Sequence, residues 1–396
     1  MKAETPNNKT LIAYSPVRWG LKLWTDRHHL FYWLSRKGFN IIYTKGPYFS
    51  WEVRRNEWSN SSWLGGINKV QLRGLTEIGV YDAGKIIVRW PRKKFIDDLM
   101  LNLHVKKIQS QVRRQDKTIC YACYPDYWPV VKRMSYDKLV LHINDSWDLF
   151  PNWNRESQDN LNSLANAADL IVAISETMVR RLPESVHNKI KILPHGADIE
   201  TMDSALVSEC PDDLAKIPYP RIGYIGRVTR KIDLSLIAGL ATKHPDWNFV
   251  FVGAAGVGIS GDPEAQRGYA LCSNLKNVYF LGQKPFDKAA HYMVHMDVNI
   301  MCYAASKQGY WNEGLPLKLY DLLYVGKPIV AADLETLSPF SGVLDIARSS
   351  EQWEAAILKA LDENDEAIQK TRRQLALENS WEKRAGLLAA WLEEMF

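Results

Sequence analysis

The chain has 396 residues, 24% charged and 46% hydrophobic, with a formal net charge of +5. That length allows two domains with separate cores, and the composition excludes disordered and fibrous classes. No run approaches the roughly 18 apolar residues that a membrane span requires, and the start MKAETPNNKT has no apolar signal core, so the expected location is the cytoplasm.

Residues 11–14 read as a short strand, followed by a loop containing Gly20. Leu30, Phe31, Trp33 and Leu34 predict a helix over 26–37, closed by Gly38. Residues 41–43 form the next strand. The stretch 47–95, rich in Trp, Gly, Asn and Arg, reads as an insertion with hairpin character. Residues 138–142 and 170–174 are buried-strand candidates. Ser175 is placed to cap a helix reaching 182, and 191–193 lead into Pro-His-Gly-Ala-Asp at 194–198. A polar, proline-containing link is expected over 199–219. A second alternation follows, with strands at 222–225, 249–252, 278–281, 298–301 and 329–331 separated by helical segments, as parallel β-α-β units require. A last helix starts at 380. The pattern predicts an α/β chain of two doubly wound domains, 1–200 and 215–379.

Charge is divided unevenly. Residues 1–198 hold 30 Lys+Arg against 19 Asp+Glu, and the remainder 20 against 26. A basic first half favours anionic lipid headgroups or a lipid-diphosphate acceptor. No nucleic-acid motif is present, so nucleic acid is not an expected partner. Trp51, Trp58, Trp63 and Trp90 lead to Arg92-Lys93-Lys94, which points to peripheral contact with the inner membrane surface, because Trp prefers the headgroup level. Cys120 and Cys123 form one Cys-x-x-Cys with no second pair, so no metal site is expected.

The segment 309–331 carries the most chemistry. Glu313 and Asp321 stand eight positions apart across a Gly-Leu-Pro turn that opens an apolar helix. Pro316 suits the first helical position, and Gly326-Lys327-Pro328 ends the helix before Ile-Val-Ala-Ala. A helix start with unpaired N–H groups attracts phosphate, and carboxylates beside it can accept from sugar and ribose hydroxyls. These residues resemble the signature of GT-B glycosyltransferases, specifically the family-4 group of retaining enzymes: Glu313, Gly314, Pro316, Gly326, Pro328 and Val330 match. Asp321 departs from the usual second Glu by one methylene. Lys318 resembles a Pro-x-Lys variant common in bacterial polysaccharide-forming members.

The resemblance extends further. Gly226-Arg227 is similar to the family's Gly-Arg, whose Arg and a following Lys grip the diphosphate; here Lys231 or Arg230 fills the second place. Residues 168–176 followed by 193–198 resemble the family's Val-x-x-Ser and Pro-Asn-Gly-Val-Asp passage, with His195 for Asn. Trp24 to His29, Tyr124-Pro-Asp126 and His142 to Trp147 are similar to patterns in teichuronic acid and other cell-surface polysaccharide glycosyltransferases. Gly253 and Gly282 end strands, where ligands approach an open sheet, and neither belongs to a Gly-x-Gly-x-x-Gly loop, which disfavours a dinucleotide dehydrogenase.

The resemblance implies a GT-B fold with an interdomain cleft and residues 380–396 packed back on the first domain. It implies transfer of a sugar from a UDP- or GDP-sugar to a glycan or lipid-linked acceptor. Glu313 would orient the sugar with the Gly314 and Leu315 N–H groups, Asp321 would hold the ribose, and Arg227, Lys231 and Lys318 would stabilise the diphosphate. Gly20, Arg27, His28 or His29, and Asp145 would serve the acceptor side. No Asp-x-Asp occurs, so neither an obligatory metal nor another cofactor is expected. A sugar-nucleotide epimerase of the same shape, or a non-catalytic sugar-nucleotide-binding subunit, remains an alternative.

Overall fold

The computed structural model describes residues 8–20, 24–256, 258–305 and 309–396. The described residues fall into two compact units. One draws on 8–20, Arg27–Pro194 and Arg384–Phe396, the other on 24–26 and the described part of His195–Lys383.

The first unit is built on strands β1 (Lys9–Tyr14), β2 (Asn40–Thr44), β3 (Tyr48–Phe49), β4 (Gly66–Leu72), β5 (Thr76–Asp82), β6 (Val88–Arg89), β7 (Lys117–Ala122), β8 (Lys138–Ile143), β9 (Leu170–Ala173) and β10 (Ile190–Ile192). Eight of these form one sheet in the order β10-β9-β8-β7-β1-β2-β5-β4, and β3 pairs with β6 separately. The central strands are near-continuous apolar runs because helices cover both faces. Ile12, Ile42, Cys120, Leu139, Leu141 and Ile171 are buried in its core. The last helix, Trp381–Glu394, ends in this unit. Glu393 pairs with Lys9 there, and the Lys191 amine lies 5.6 Å from the Trp391 ring centre.

The second unit carries β11 (Arg221–Ile225), β12 (Asn248–Val252), β13 (Val278–Phe280), β14 (Val298–Met301), β15 (Ile329–Ala332) and β16 (Asp345–Ala347), all parallel, in the order β13-β12-β11-β14-β15-β16. Its own core contains Ile222, Phe249, Phe251, Ile300, Leu323 and Val330.

Several expectations are corrected. The 47–95 stretch does contain a hairpin, β4 and β5 in register from Gly66↔Asp82 to Leu72↔Thr76, but β5 also pairs in parallel with β2 and so extends the main sheet. Two strands, β7 and β16, were not expected; Thr, Cys and Tyr in β7 disguise a buried strand. Ser175 stands at the N-cap of its helix, but its Oγ meets Thr177 Oγ1 at 2.7 Å and makes no capping bond to the backbone; the helix stops at Val179 instead of reaching 182, and Leu182, before Pro183, is pushed out of the helical region. The link over 199–219 holds helices Ile199–Leu206 and Asp212–Ala215, whose buried Met202, Ala205 and Leu214 are scattered among polar residues.

Candidate active site

The order of the second sheet decides where its ligands go. From β11 the chain proceeds outward through β12 to β13, and from β14 outward through β15 to β16. Winding reverses between β11 and β14, and open sheets bind ligands in the crevice at such a point, beside the loops leaving the carboxyl ends of those two strands. The loop after β11 carries Gly226, Arg227, Arg230 and Lys231; the loop after β14 carries Cys302, Tyr303 and Ala304. The two loops are stitched together. Asp233 N–H donates to Cys302 O at 2.9 Å, and Ala304 N–H donates to Lys231 O at 2.9 Å.

Glycine makes the crevice floor close enough to use. Gly226 and Gly253 have φ of +144° and +151°. A Cβ on Gly253 would stand 2.1 Å from Gly226 O, and one on Gly226 would stand 2.8 Å from Lys318 Nζ. Larger residues would push the β11 loop off its neighbours.

Lys318 is the centre of this arrangement. Its stem is partly exposed, yet its amine is buried and has no hydrogen-bond acceptor among the described residues. The amine sits 3.5 Å from the centre of the Tyr224 ring and 5.9 Å from that of Tyr303. A cation over an aromatic face gains about 2 kcal/mol when desolvated, less than a buried ammonium loses. Burial, and then the charge of Lys231, therefore hold the Lys318 amine well below the usual lysine range. Lys231 approaches the same Tyr303 ring, at 5.7 Å, and the exposed Arg227 continues the loop from Tyr224. Arg230 lies 5.9 Å from the centre of the Trp311 ring. Lys231 and Lys318 thus share the Tyr303 ring, and Arg227 and Arg230 stand on the same loop as Lys231.

Glu313 is half-buried. It follows a short turn, Tyr310–Asn312, that is fastened to the β14 loop: Trp311 Nε1–H donates to Ala304 O at 3.2 Å, and Asn312 Nδ2–H to Ala305 O at 2.9 Å. The same anchors bring Arg230 beside the Glu313 turn. Gly314 O accepts from Thr336 Oγ1 at 3.1 Å, and Leu315 is buried.

The helix after this turn begins later than expected. It spans Leu319–Val325, with Lys318 at its cap, and Pro316 stands outside it in a turn closed by Leu319 N–H to Pro316 O at 3.0 Å. Gly326, at φ +81°, ends it as expected. Asp321 lies one turn into this helix and is buried. Its carboxylate accepts from the Asp198 N–H at 2.9 Å. Burial is the largest influence on it, pushing its pKa up to about 8; the Asp198 N–H bond opposes this and the Asp198 carboxylate adds to it.

The acceptor-side candidates belong to the first unit. Arg27 is buried in the helix Asp26–Arg36, and its Nη1 donates to Ser15 Oγ at 3.3 Å, just past the carboxyl end of β1. That end is this sheet's own switch point, since winding reverses between β1 and β7. His28 is fully buried, its ring 4.6 Å from that of Trp19 and 6.0 Å from that of Tyr43. This is the environment of a packed core histidine. Asp145 is half-buried just past β8. Gly20 has open space where a Cβ would be.

Two residues escaped the sequence reading, Tyr224 and Tyr303, and Asp198 was read only as the end of the Pro-His-Gly-Ala-Asp motif. Tyr224 was visible as the last inward aromatic of β11, but nothing in one dimension links it to Lys318, 94 positions on.

Residues 215–377 match the family model described as glycosyl transferases group 1. Over 283 residues the chain is 32% identical to a Bacillus subtilis (strain 168) protein named for a proposed role in teichuronic acid biosynthesis, the glycosyltransferase TuaH; the match covers 65% of this chain and 67% of that one. Among solved structures, sucrose-phosphate synthase from Thermosynechococcus elongatus superposes with a TM-score of 0.69 at 14% identity, covering 98% of this chain and 99% of that one. Anabaena Alr3699/HepE, solved with UDP and glucose, superposes with a TM-score of 0.63 at 16% identity, covering 97% and 99%. These likenesses give the fold as GT-B. With the sequence match over both units, they make the chain an enzyme of the group 1 glycosyltransferase family, to which it belongs.

Proposed function

We propose that the enzyme transfers a sugar from a nucleoside-diphosphate sugar, UDP- in preference to GDP-, to a growing glycan or lipid-linked acceptor in cell-surface polysaccharide synthesis, with retention of configuration. The carrying observation is the Lys318 amine, buried beside Lys231 without an acceptor. A diphosphate supplies the missing anion. Arg227 and Lys231 complete its neutralisation as the sugar departs, so the reading requires no metal. Glu313, with the Gly314 and Leu315 N–H groups, orients the sugar, and Asp321 meets the ribose through its second oxygen. Arg27 and Asp145 serve the acceptor in this reading, whereas His28 supports them by packing. The names of TuaH and of the UDP-bound HepE structure support the polysaccharide product and the uridine donor. The reading places the enzyme in the cytoplasm; among the described residues no helix is long and apolar enough to cross a membrane.

Thermal-shift titration with UDP, GDP, ADP and their sugars tests the donor, because stabilisation follows affinity. UDP and a UDP-sugar should raise the melting temperature most. Glu313→Ala should keep the UDP shift and lose about 100-fold or more in transfer. Full transfer by that variant would refute the assignment.

A further inference from the structure

Ten of the nineteen large hydrophobic residues exposed on the described chain fall between positions 51 and 103. That concentration is far above an even scatter and marks a surface with a purpose. The helix Lys94–Gln109 carries four of the ten. Its buried face is Asp97, Leu101, His104, Val105 and Ile108. On the opposite face, where a solvent helix carries charge, stand Phe95, Ile96, Leu99 and Leu103, with Phe95 84% exposed. Leu103 lines an open trough with Leu64, Ile86, Lys106 and Lys107, and a second trough beside the helix start joins Trp51 and Trp90 to Arg92 and Lys93.

Charge around these residues is one-sided. Between 83 and 115 there are nine Lys and Arg against two Asp. Both aspartates are occupied: Asp97 binds Arg89 and the Trp90 N–H, and Asp98 pairs with Arg133. Lys93 lies 5.5 Å from the Trp90 ring centre, and Lys85 5.5 Å from that of the exposed Trp63. Amines thus ring the apolar stripe, with tryptophans at its margin.

We infer that this face, the outer side of helix Lys94–Gln109 with the Trp51, Trp63 and Trp90 margin, docks on an anionic lipid bilayer. Apolar side chains enter the headgroup boundary, tryptophans take the interfacial level and unpaired cations meet lipid phosphates. A second copy of the chain is disfavoured as the occupant, because it would set cation against cation.

Vesicle sedimentation tests this with the full chain, using phosphatidylcholine alone and mixed equally with phosphatidylglycerol. The protein should sediment with the anionic vesicles only, less so at high salt. Phe95→Glu/Leu99→Glu and Lys93→Glu/Lys94→Glu should each reduce partitioning by about tenfold or more, while keeping the wild-type melting temperature and UDP shift. Brominated lipid should quench the wild type more than Trp51→Phe/Trp63→Phe/Trp90→Phe. Equal binding to neutral vesicles, no binding to anionic ones, or full binding by both charge variants would overturn the inference. So would self-association of the wild type that these variants abolish without any vesicle binding. The UDP shift reports on the donor site independently, so failure here leaves the proposed function standing, and the reverse.

Discussion

Replacing Lys318 with Met separates a ligand-binding lysine from a structural one, because the two roles predict opposite signs. Met keeps the length and the contact with Tyr224 but removes a buried amine that has no acceptor. An unsatisfied buried polar group costs about 1–3 kcal/mol, and part of that is offset by the cation–π contact. Lys318→Met should therefore stabilise its unit by about 1–2 kcal/mol, raising the melting temperature by roughly 3–6 °C. The amine's bond to a bound phosphate is charge-assisted and contributes about 1.5–3 kcal/mol, so UDP should bind about 10–100-fold more weakly. The pH dependence follows from the lowered amine. Between the folded pKa and the unfolded value of 10.5, the unfolded chain holds the extra proton, so wild-type stability rises with pH and falls as pH drops. The advantage of the Met variant should be greatest at low pH and shrink as pH climbs. Binding of UDP should also take up a proton, seen as a calorimetric enthalpy that changes with the buffer's ionisation enthalpy. A Lys318→Met protein that is less stable than wild type, or that keeps the full UDP shift, would refute the reasoning.

Two further variants probe the same unit. Asp321 has its pKa raised from 3.8 to about 8, so the folded chain keeps a proton that the unfolded chain has lost, and stability falls as pH rises through that window. Asp321→Asn retains an acceptor for the Asp198 N–H and removes the titration; its urea midpoint should exceed that of wild type at about pH 9 and match it much more closely at about pH 5. Gly253→Ala places a Cβ 2.1 Å from Gly226 O; it should cost more than about 2 kcal/mol in urea denaturation and weaken UDP binding by shifting the Arg227 loop, and an unperturbed variant would show that the loops need no such close approach.

The second unit was the more legible half of the chain. Its strands β11 and β12 are short apolar runs ended by Gly226 and Gly253, its helix Leu319–Val325 is ended by Gly326, and a glycine forced into positive φ leaves a mark that one dimension preserves. The Glu313–Asp321 segment was legible for the same reason: its spacing is local. What did not show was anything made by folding. Tyr224 lies under Lys318 only because β11 and the later helix meet, and Asp321 finds Asp198 from 123 positions away. In the first unit, the 47–95 stretch hid a sheet extension because β5 takes its register from β2 as well as from its own hairpin. For His28, one dimension gave no sign of the Trp19 and Tyr43 rings that pack beside it.

The donor-side geometry also explains why its basic residues are poor stability elements. Burial and the charge of Lys231 make a proton on Lys318 costly, and the two glycines hold the loop in a backbone conformation that few residues tolerate. Each feature raises the energy of the empty site. An anion seated among Arg227, Lys231 and Lys318 reverses the balance, turning repulsion into shared attraction and giving the buried amine its acceptor. Because the diphosphate gains negative charge as the glycosidic bond to it breaks, that attraction grows along the reaction and favours the transition state over the bound donor. A site made comfortable in its empty form, by Met at 318 for example, would give up that difference.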